Sequence, residues 1–351
     1  MDNPRAVFEA VKDDPAIVKI ILRKRGQVAA SAANEGVNVI VVNVETLRGA
    51  YYLAVSRFIL TGYGLGGLCS YSAWITSKHK IIQLWHGIPL KRIGKLFPGE
   101  KYWDLETPKY TATVCSSARD QAIMAAAFAP LPIENVWLCG LPRNDLFLKD
   151  EISLPADYRQ QLGDLRRRLD GRRFVLYAPT WRATEDGIYA FSDEERAALD
   201  ALSKRHNVAF GIRAHANRRI QDAYADSLKA GSIFFANDFP DVNVLLRITD
   251  VLVTDYSSIY IDFLLTGRPI LHFTYDVEEY VKERGFLYEL DEALPSKWFK
   301  SFGELLAQLD AALEGRGIDA QRYSGAKMLF HTHADHSGLQ VANRIRALAA
   351  R

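Results

Sequence analysis

Cysteine is scarce. Cys69, Cys115 and Cys139 are odd in number and share no metal-like spacing, which argues against a disulfide framework and for a reducing cytoplasm. Long apolar runs are missing too. The best stretch, residues 51–69, is broken by Arg57 and by glycines, so it does not read as a membrane-spanning helix. Neither sign of charge dominates: 44 Lys and Arg against 42 Asp and Glu leave a formal net charge of +2, and no bulk field points to nucleic acid. There is no repeat, no low-complexity tract and no Asp-x-Asp pair to bridge a divalent ion to a diphosphate. The N-terminus carries Asp2, Arg5 and Glu9 without an apolar core and does not read as a signal peptide.

What is present is alternation. The length of 351 residues suits two ordinary domains. Short apolar runs predict strands at 37–42, 57–61, 80–84, 111–115, 135–138, 174–177, 208–212, 233–235, 250–253 and 270–272. Helical patterns lie between many of them, as at 192–204 and 241–247. Such alternation argues for parallel sheets with covering helices. The polar stretch 143–172 separates two sets of strands. The expected class is therefore α/β, with Rossmann-like domains at 1–150 and 151–351 facing a central cleft and the last helix packing back on the first. Arg166, Arg167, Arg168, Arg172 and Arg173 are expected on one helix as a solvated face.

In such sheets ligands bind beyond the carboxyl ends of the strands. Four strand ends carry suitable chemistry: Trp85-His86-Gly87, Ala178-Pro179-Thr180-Trp181-Arg182, Arg213-Ala214-His215, and Thr254-Asp255-Tyr256-Ser257-Ser258 followed by Asp262. The last is the most informative. A buried strand turns there into a helix expected over 259–265, so hydroxyls and backbone N–H groups meet the positive end of a helix dipole, which makes an anion site. In isolation the same residues would read as a plain serine N-cap.

Other motifs mislead. Gly62-Tyr63-Gly64-Leu65-Gly66-Gly67 fits G-x-G-x-x-G, but the next strand ends in Trp85-His86 rather than the acid a dinucleotide ribose needs. The Gly94-Lys95 pair lacks P-loop spacing. His331, His333 and His336 could suggest a metal, yet read better as a surface loop. Cys115-Ser116-Ser117 reads as a helix start.

Taken together and in order, these segments resemble a known family. Gln83-Leu84-Trp85-His86-Gly87-Ile88-Pro89-Leu90-Lys91-Arg92-Ile93-Gly94 is similar to the W-H-G-x-P-x-K-x-x-G segment of the CDP-glycerol glycerophosphotransferases, which include teichoic acid primases, polymerases and capsule enzymes. Ala178 to Arg182 resembles its A-P-T-W-R, Arg213-Ala214-His215 its R-x-H, and Thr254 to Asp262 its T-D-Y-S-S-x-x-x-D. Tyr280, Arg284 and Gly285 also fit. Relatives often carry residues ahead of the Asp2-Asn3-Pro4-Arg5 segment, and often have Asp-Gly where this chain has Asp335-His336.

The resemblance implies a GT-B fold and transfer of glycerol or ribitol phosphate from a CDP-polyol to a hydroxyl of a lipid-linked glycan or poly(polyol phosphate), releasing CMP. It implies no cofactor or metal, and a cytoplasmic enzyme peripheral to the membrane. His86 would be the general base, a role that suits an imidazole titrating near neutral pH. Arg213 and His215 would hold the diphosphate and stabilise the leaving CMP. Thr180 and Arg182 would contact donor phosphate or polyol. Ser257 and Ser258 would cradle the phosphates, Asp255 would be a further substrate-binding residue, and Asp262 would fix the nucleotide-side loop or ribose. Lys91 would steer the acceptor, and Gly87 would be a further substrate-binding residue. The alternatives are a GT-B glycosyltransferase using a UDP- or GDP-sugar, and a non-enzymatic glycan- or lipid-carrier-binding scaffold.

Overall fold

The computed structural model describes residues 3–24, 35–67, 75–99, 101–180, 182, 188–189, 191–213 and 233–350. Cys69, Trp181 and His215 lie outside them. The described strands are β1 (Lys19–Arg23), β2 (Val39–Asn43), β3 (Phe58–Thr61), β4 (Lys80–Gln83), β5 (Tyr110–Cys115), β6 (Val136–Leu138), β7 (Arg173–Tyr177), β8 (Val208–Ile212), β9 (Ile233–Phe235), β10 (Val251–Thr254), β11 (Ile270–Phe273) and β12 (Trp298–Phe299). Every pairing among them is parallel. The ten expected strands fall within about two residues of these. β1 and β12 were not expected: the first is a short run between charged residues, the second only two residues long.

The chain divides into two compact units. One comprises Met1–Ile88, Ile93–Asp157 and Phe330–Arg351; the other comprises Pro89–Arg92 and Tyr158–Leu329. The expected division at residue 150 was contiguous except for the last helix, expected to pack back on the first domain. The observed one interleaves, because residues 89–92 pair with the second unit and the C-terminal segment packs on the first.

In the first unit, β1 and β2 form one sheet, and β3-β4-β5-β6 form another in chain order. Ile59, Ile81, Trp85, Tyr110, Phe128 and Val136 belong to its core. The helix Ser337–Ala349 packs against the helix Asn3–Val11: a Cβ on Gly338 would lie 2.9 Å from Ala6 O. Asp145 accepts from the N–H groups of Ser337 and Gly338, at 2.7 Å each, so its carboxylate caps that helix. Ahead of it His336 has φ +51°, in the region that favours glycine.

In the second unit the sheet order is β12-β11-β10-β7-β8-β9. The chain runs outward from β7 to β9, then returns to the other side of β7 with β10. β7 and β10 thus flank the topological switch point, where ligands sit in open α/β sheets. β8, β10 and β11 are buried throughout, as expected for strands covered on both faces. The helix Asp193–His206 starts with a capping box made by Ser192 and Glu195, and it stops at Asn207 in the left-handed conformation. The arginine cluster is divided: Arg166, Arg167 and Arg168 end the helix Ala156–Leu169. Arg173 instead opens β7 and donates to Leu313 O and His206 O. Among the described residues no helix is long and apolar enough to cross a membrane.

Candidate active site

In the first unit, β4 delivers His86 three residues beyond its end, through a tight turn. Trp85 has φ +52° and Gly87 φ +150°. A left-handed bulky residue costs about 1–3 kcal/mol and persists only when its surroundings over-determine it. Here they do. Trp85 N–H donates to Gln83 Oε1 (2.9 Å), Thr113 Oγ1 donates to Gln83 O (2.7 Å), and the indole packs edge-on to Phe128.

His86 itself is exposed. Its ring stacks on Tyr63, with centroids 5.0 Å apart and planes 13° from parallel. Nδ1 lies 3.0 Å from Gly62 O. A carbonyl only accepts, so Nδ1 carries the proton of the neutral ring and Nε2 the lone pair, which is the tautomer a base needs. The glycine-rich loop rejected as a dinucleotide site is therefore a mount for this imidazole. It is braced in turn: Leu65 N–H donates to the buried Glu106 (2.8 Å), which also accepts from Tyr110 OH. Gly94, the last glycine of the W-H-G segment, is there for steric reasons. Its φ is +55°, and a Cβ would fall 2.3 Å from Ala127 O.

In the second unit, Asp255 follows β10 and is 1% exposed. Its carboxylate accepts from Thr180 N–H (2.8 and 3.0 Å) and Ser257 N–H (3.1 Å), and pairs with Arg182 Nη2 at 2.8 Å. Arg182 also donates to Asp276 through Nε (2.6 Å) and Nη2 (3.0 Å), and to Thr180 O. Its guanidinium lies over the rings of Tyr280 and Tyr256. A forked, buried pairing of this kind fixes geometry. Arg182 and Asp255 thus spend these bonds on joining the segments after β7, β10 and β11. His272 adds to this by donating from Nδ1 to Asp255 O at 2.9 Å.

Ser257 and Ser258 are half-buried. The helix behind them, Ile259–Phe263, has five residues and continues as a 3-10 turn to Thr266, and Ser258 makes no side-chain cap. Its dipole is correspondingly small, and the Ser257 N–H is already engaged. Asp262 is buried within it.

Lys91 is half-buried, not solvated surface. An antiparallel bridge to Phe286 places its Nζ 3.2 Å from Tyr280 OH. Burial, then Arg284 and Arg182, hold its pKa below the ordinary lysine value, with Asp255 opposing. Arg213 follows β8 and donates to Phe239 O (2.6 Å) and Pro240 O (3.1 Å). Burial lowers its pKa and Asp241 opposes. Carbonyl partners orient a guanidinium without cancelling its charge, and cations so held suit an anionic ligand.

His331 and His333 belong to the docked C-terminal segment. Ser116 O accepts from Thr332 N–H and His333 N–H, and Ser116 Oγ donates to His333 O. Among the described residues no group of His, Cys, Asp and Glu could hold a metal ion. Ser117 does cap a helix, Ala118–Ala127.

Three participants escaped the sequence reading: Asn3, Arg143 and Asp276. The strand-end rule would have found two of them, since Arg143 follows β6 and Asp276 follows β11.

The chain matches the CDP-glycerol:poly(glycerophosphate) glycerophosphotransferase family over residues 1–347. It belongs to that family. This glycerophosphotransferase-family chain is 28% identical over 247 residues to the teichoic acid ribitol-phosphate polymerase TarL of Staphylococcus aureus, covering 68% of this chain and 43% of that one. It is 25% identical over 354 residues to the teichoic acid ribitol-phosphate primase of Bacillus spizizenii, covering 95% and 84%. It spans less than half the length of the ribitol-phosphate polymerases it matches. Among solved structures, the wall teichoic acid polymerase TagF matches 100% of this chain and 87% of its own with a TM-score of 0.77 at 22% identity. That likeness shows the α/β, GT-B-like fold.

Proposed function

We propose that this glycerophosphotransferase-family chain transfers glycerol phosphate or ribitol phosphate from a CDP-polyol to a hydroxyl of a lipid-linked glycan or a growing poly(polyol phosphate), in teichoic acid or capsule biosynthesis. The observation that carries the reading is His86, an exposed imidazole whose Nδ1–H is committed to Gly62 O. Nε2 takes the proton of the acceptor hydroxyl as its oxygen attacks the β-phosphorus. The bond from that phosphorus to the bridging oxygen breaks, and CMP leaves with the electron pair. His215 acts on the donor side through the R-x-H resemblance. The half-buried charges of Arg213 and Lys91 favour phosphate, and Thr180, Ser257 and Ser258 supply polar contacts on loops set by Arg182, Asp255 and Asp276. Charge neutralisation by side chains takes the place of a metal or cofactor.

The protein works at the cytoplasmic face of the membrane as a peripheral enzyme. Leu47, Tyr51 and Val55 recur every fourth residue on the helix Leu47–Val55 and are 79%, 59% and 56% exposed, an apolar stripe that suits a bilayer interface.

Product analysis tests the chemistry. Incubation with CDP-glycerol or CDP-ribitol and a short glycerol-phosphate-primed acceptor, in EDTA, is expected to yield CMP and an extended acceptor, and His86→Gln to lower kcat at least ~100-fold. Release of a nucleoside diphosphate from a sugar nucleotide, with no CMP from either donor, would favour the glycosyltransferase.

A further inference from the structure

We propose that Asn3 and Arg143 are positioning residues for the His86 loop, holding its three consecutive carbonyls so that the imidazole keeps its tautomer and direction. This rests on the reading of His86 as the base.

Asn3 opens the first helix and is 0% exposed. Its Nδ2 donates to Leu84 O at 2.8 Å and to Trp85 O at 3.0 Å. Its Oδ1 accepts from Arg143 N–H at 2.9 Å. Arg143, 8% exposed at the start of the helix Arg143–Leu148, then donates from Nη1 to His86 O at 2.7 Å. The carbonyls of residues 84, 85 and 86 are thus each held by a side chain remote in sequence, and the Asn3 side chain is in turn bonded to the backbone N–H of Arg143.

Trp85 is the reason such a clamp is needed. Its left-handed backbone turns successive carbonyls away from the strand ladder, and buried carbonyls without donors are costly. Relaxation of Trp85 to an ordinary φ would swing the next residue, and with it His86, off Gly62 O. Loss of that bond releases the tautomer, and a base displaced by about 1 Å can cost on the order of 100-fold in rate.

Both residues act through His86, which gives a test that general destabilisation does not mimic. In Asn3→Asp the carbonyl donors are lost while the acceptor for Arg143 N–H is kept. Arg143→Met removes the donor to His86 O without touching Asn3. Each is expected to lower kcat for CMP release by tenfold or more, up to on the order of 100-fold, with KM for the CDP-polyol within about twofold. In a His86→Gln background neither should lower the rate further. Losses that multiply instead would overturn the proposal.

A second readout does not depend on turnover. In protein labelled with 15N-histidine and assigned by His86→Gln, His86 should show the Nδ1–H tautomer in the wild type and a mixture in Asn3→Asp or Arg143→Met. A wild-type ratio in both variants would overturn the proposal as well. If His86→Gln retains full turnover, the function reading fails, and the tautomer measurement still decides whether the clamp holds the ring.

Discussion

Asp120 shows how one side chain sets a pH dependence. It is 1% exposed and sits in the first turn of the helix Ala118–Ala127. Burial pushes its pKa up to about 7, against the opposing Ser116 N–H bond to Oδ2. Oδ1 has no hydrogen-bond partner among the described residues. Between the unfolded value near 4 and about 7, the folded chain holds a proton that the unfolded chain has lost. The contribution to stability is complete at low pH and is lost as pH rises through 7. His272, buried and with its pKa pushed down to about 4, works in the opposite direction below its ordinary value. The difference between proteins, not the raw curve, therefore isolates Asp120. Urea midpoints of Asp120→Asn should rise relative to the wild type from about pH 4 to 8, and parallel curves would refute the assignment. Nothing in the sequence separates this aspartate from an ordinary first-turn acid. Arg182 teaches the same lesson: its place after a strand was legible, but its commitment to two carboxylates depends on where β10 and β11 end.

Elements were more legible than roles, because apolar runs in a parallel sheet are buried on both faces and stand out as near-continuous stretches. β8 and β9 begin and end where the runs at 208–212 and 233–235 do. The docking of the last helix depends on a long-range cap that no local pattern encodes. Asp145 supplies that cap, and Asp145→Ala leaves two helix N–H groups without their acceptor, at a cost of about 1–3 kcal/mol. Amide hydrogen exchange should quicken in Ser337–Ala349 and in Asn3–Val11, which packs on it, while Asp193–His206 keeps its protection. Equal quickening in all three helices would mean that the substitution loosens the fold as a whole.

At the level of the entire chain, the apolar stripe of Leu47, Tyr51 and Val55 makes a claim about where the molecule resides. The protein should co-float with phosphatidylglycerol vesicles, and Leu47→Glu with Tyr51→Glu should reduce the bound fraction severalfold with kcat on a soluble short acceptor unchanged. Equal flotation of both proteins would remove this helix from the membrane reading. The α/β class, the parallel sheets and the ordered motifs were all visible in the sequence. The return of the last helix to the first unit was expected too, whereas the place of residues 89–92 in the second unit was not, because composition carries no record of which distant segment a short stretch pairs with.

That interleaving bears on how the molecule is made. Residues 89–92 and 158–329 have all left the ribosome before the helix Ser337–Ala349 appears, and the first unit is incomplete without that helix. The unit that holds residues 1–88 is thus finished after the other. Until that helix appears, the helix bearing Asn3 has an uncovered face, and the loop that carries His86 lacks a settled support. A released chain truncated after Leu329 would be expected to hold a folded second unit and an inactive, chaperone-accessible first one. Catalytic competence is in this sense conferred by a segment made after the whole of the second unit.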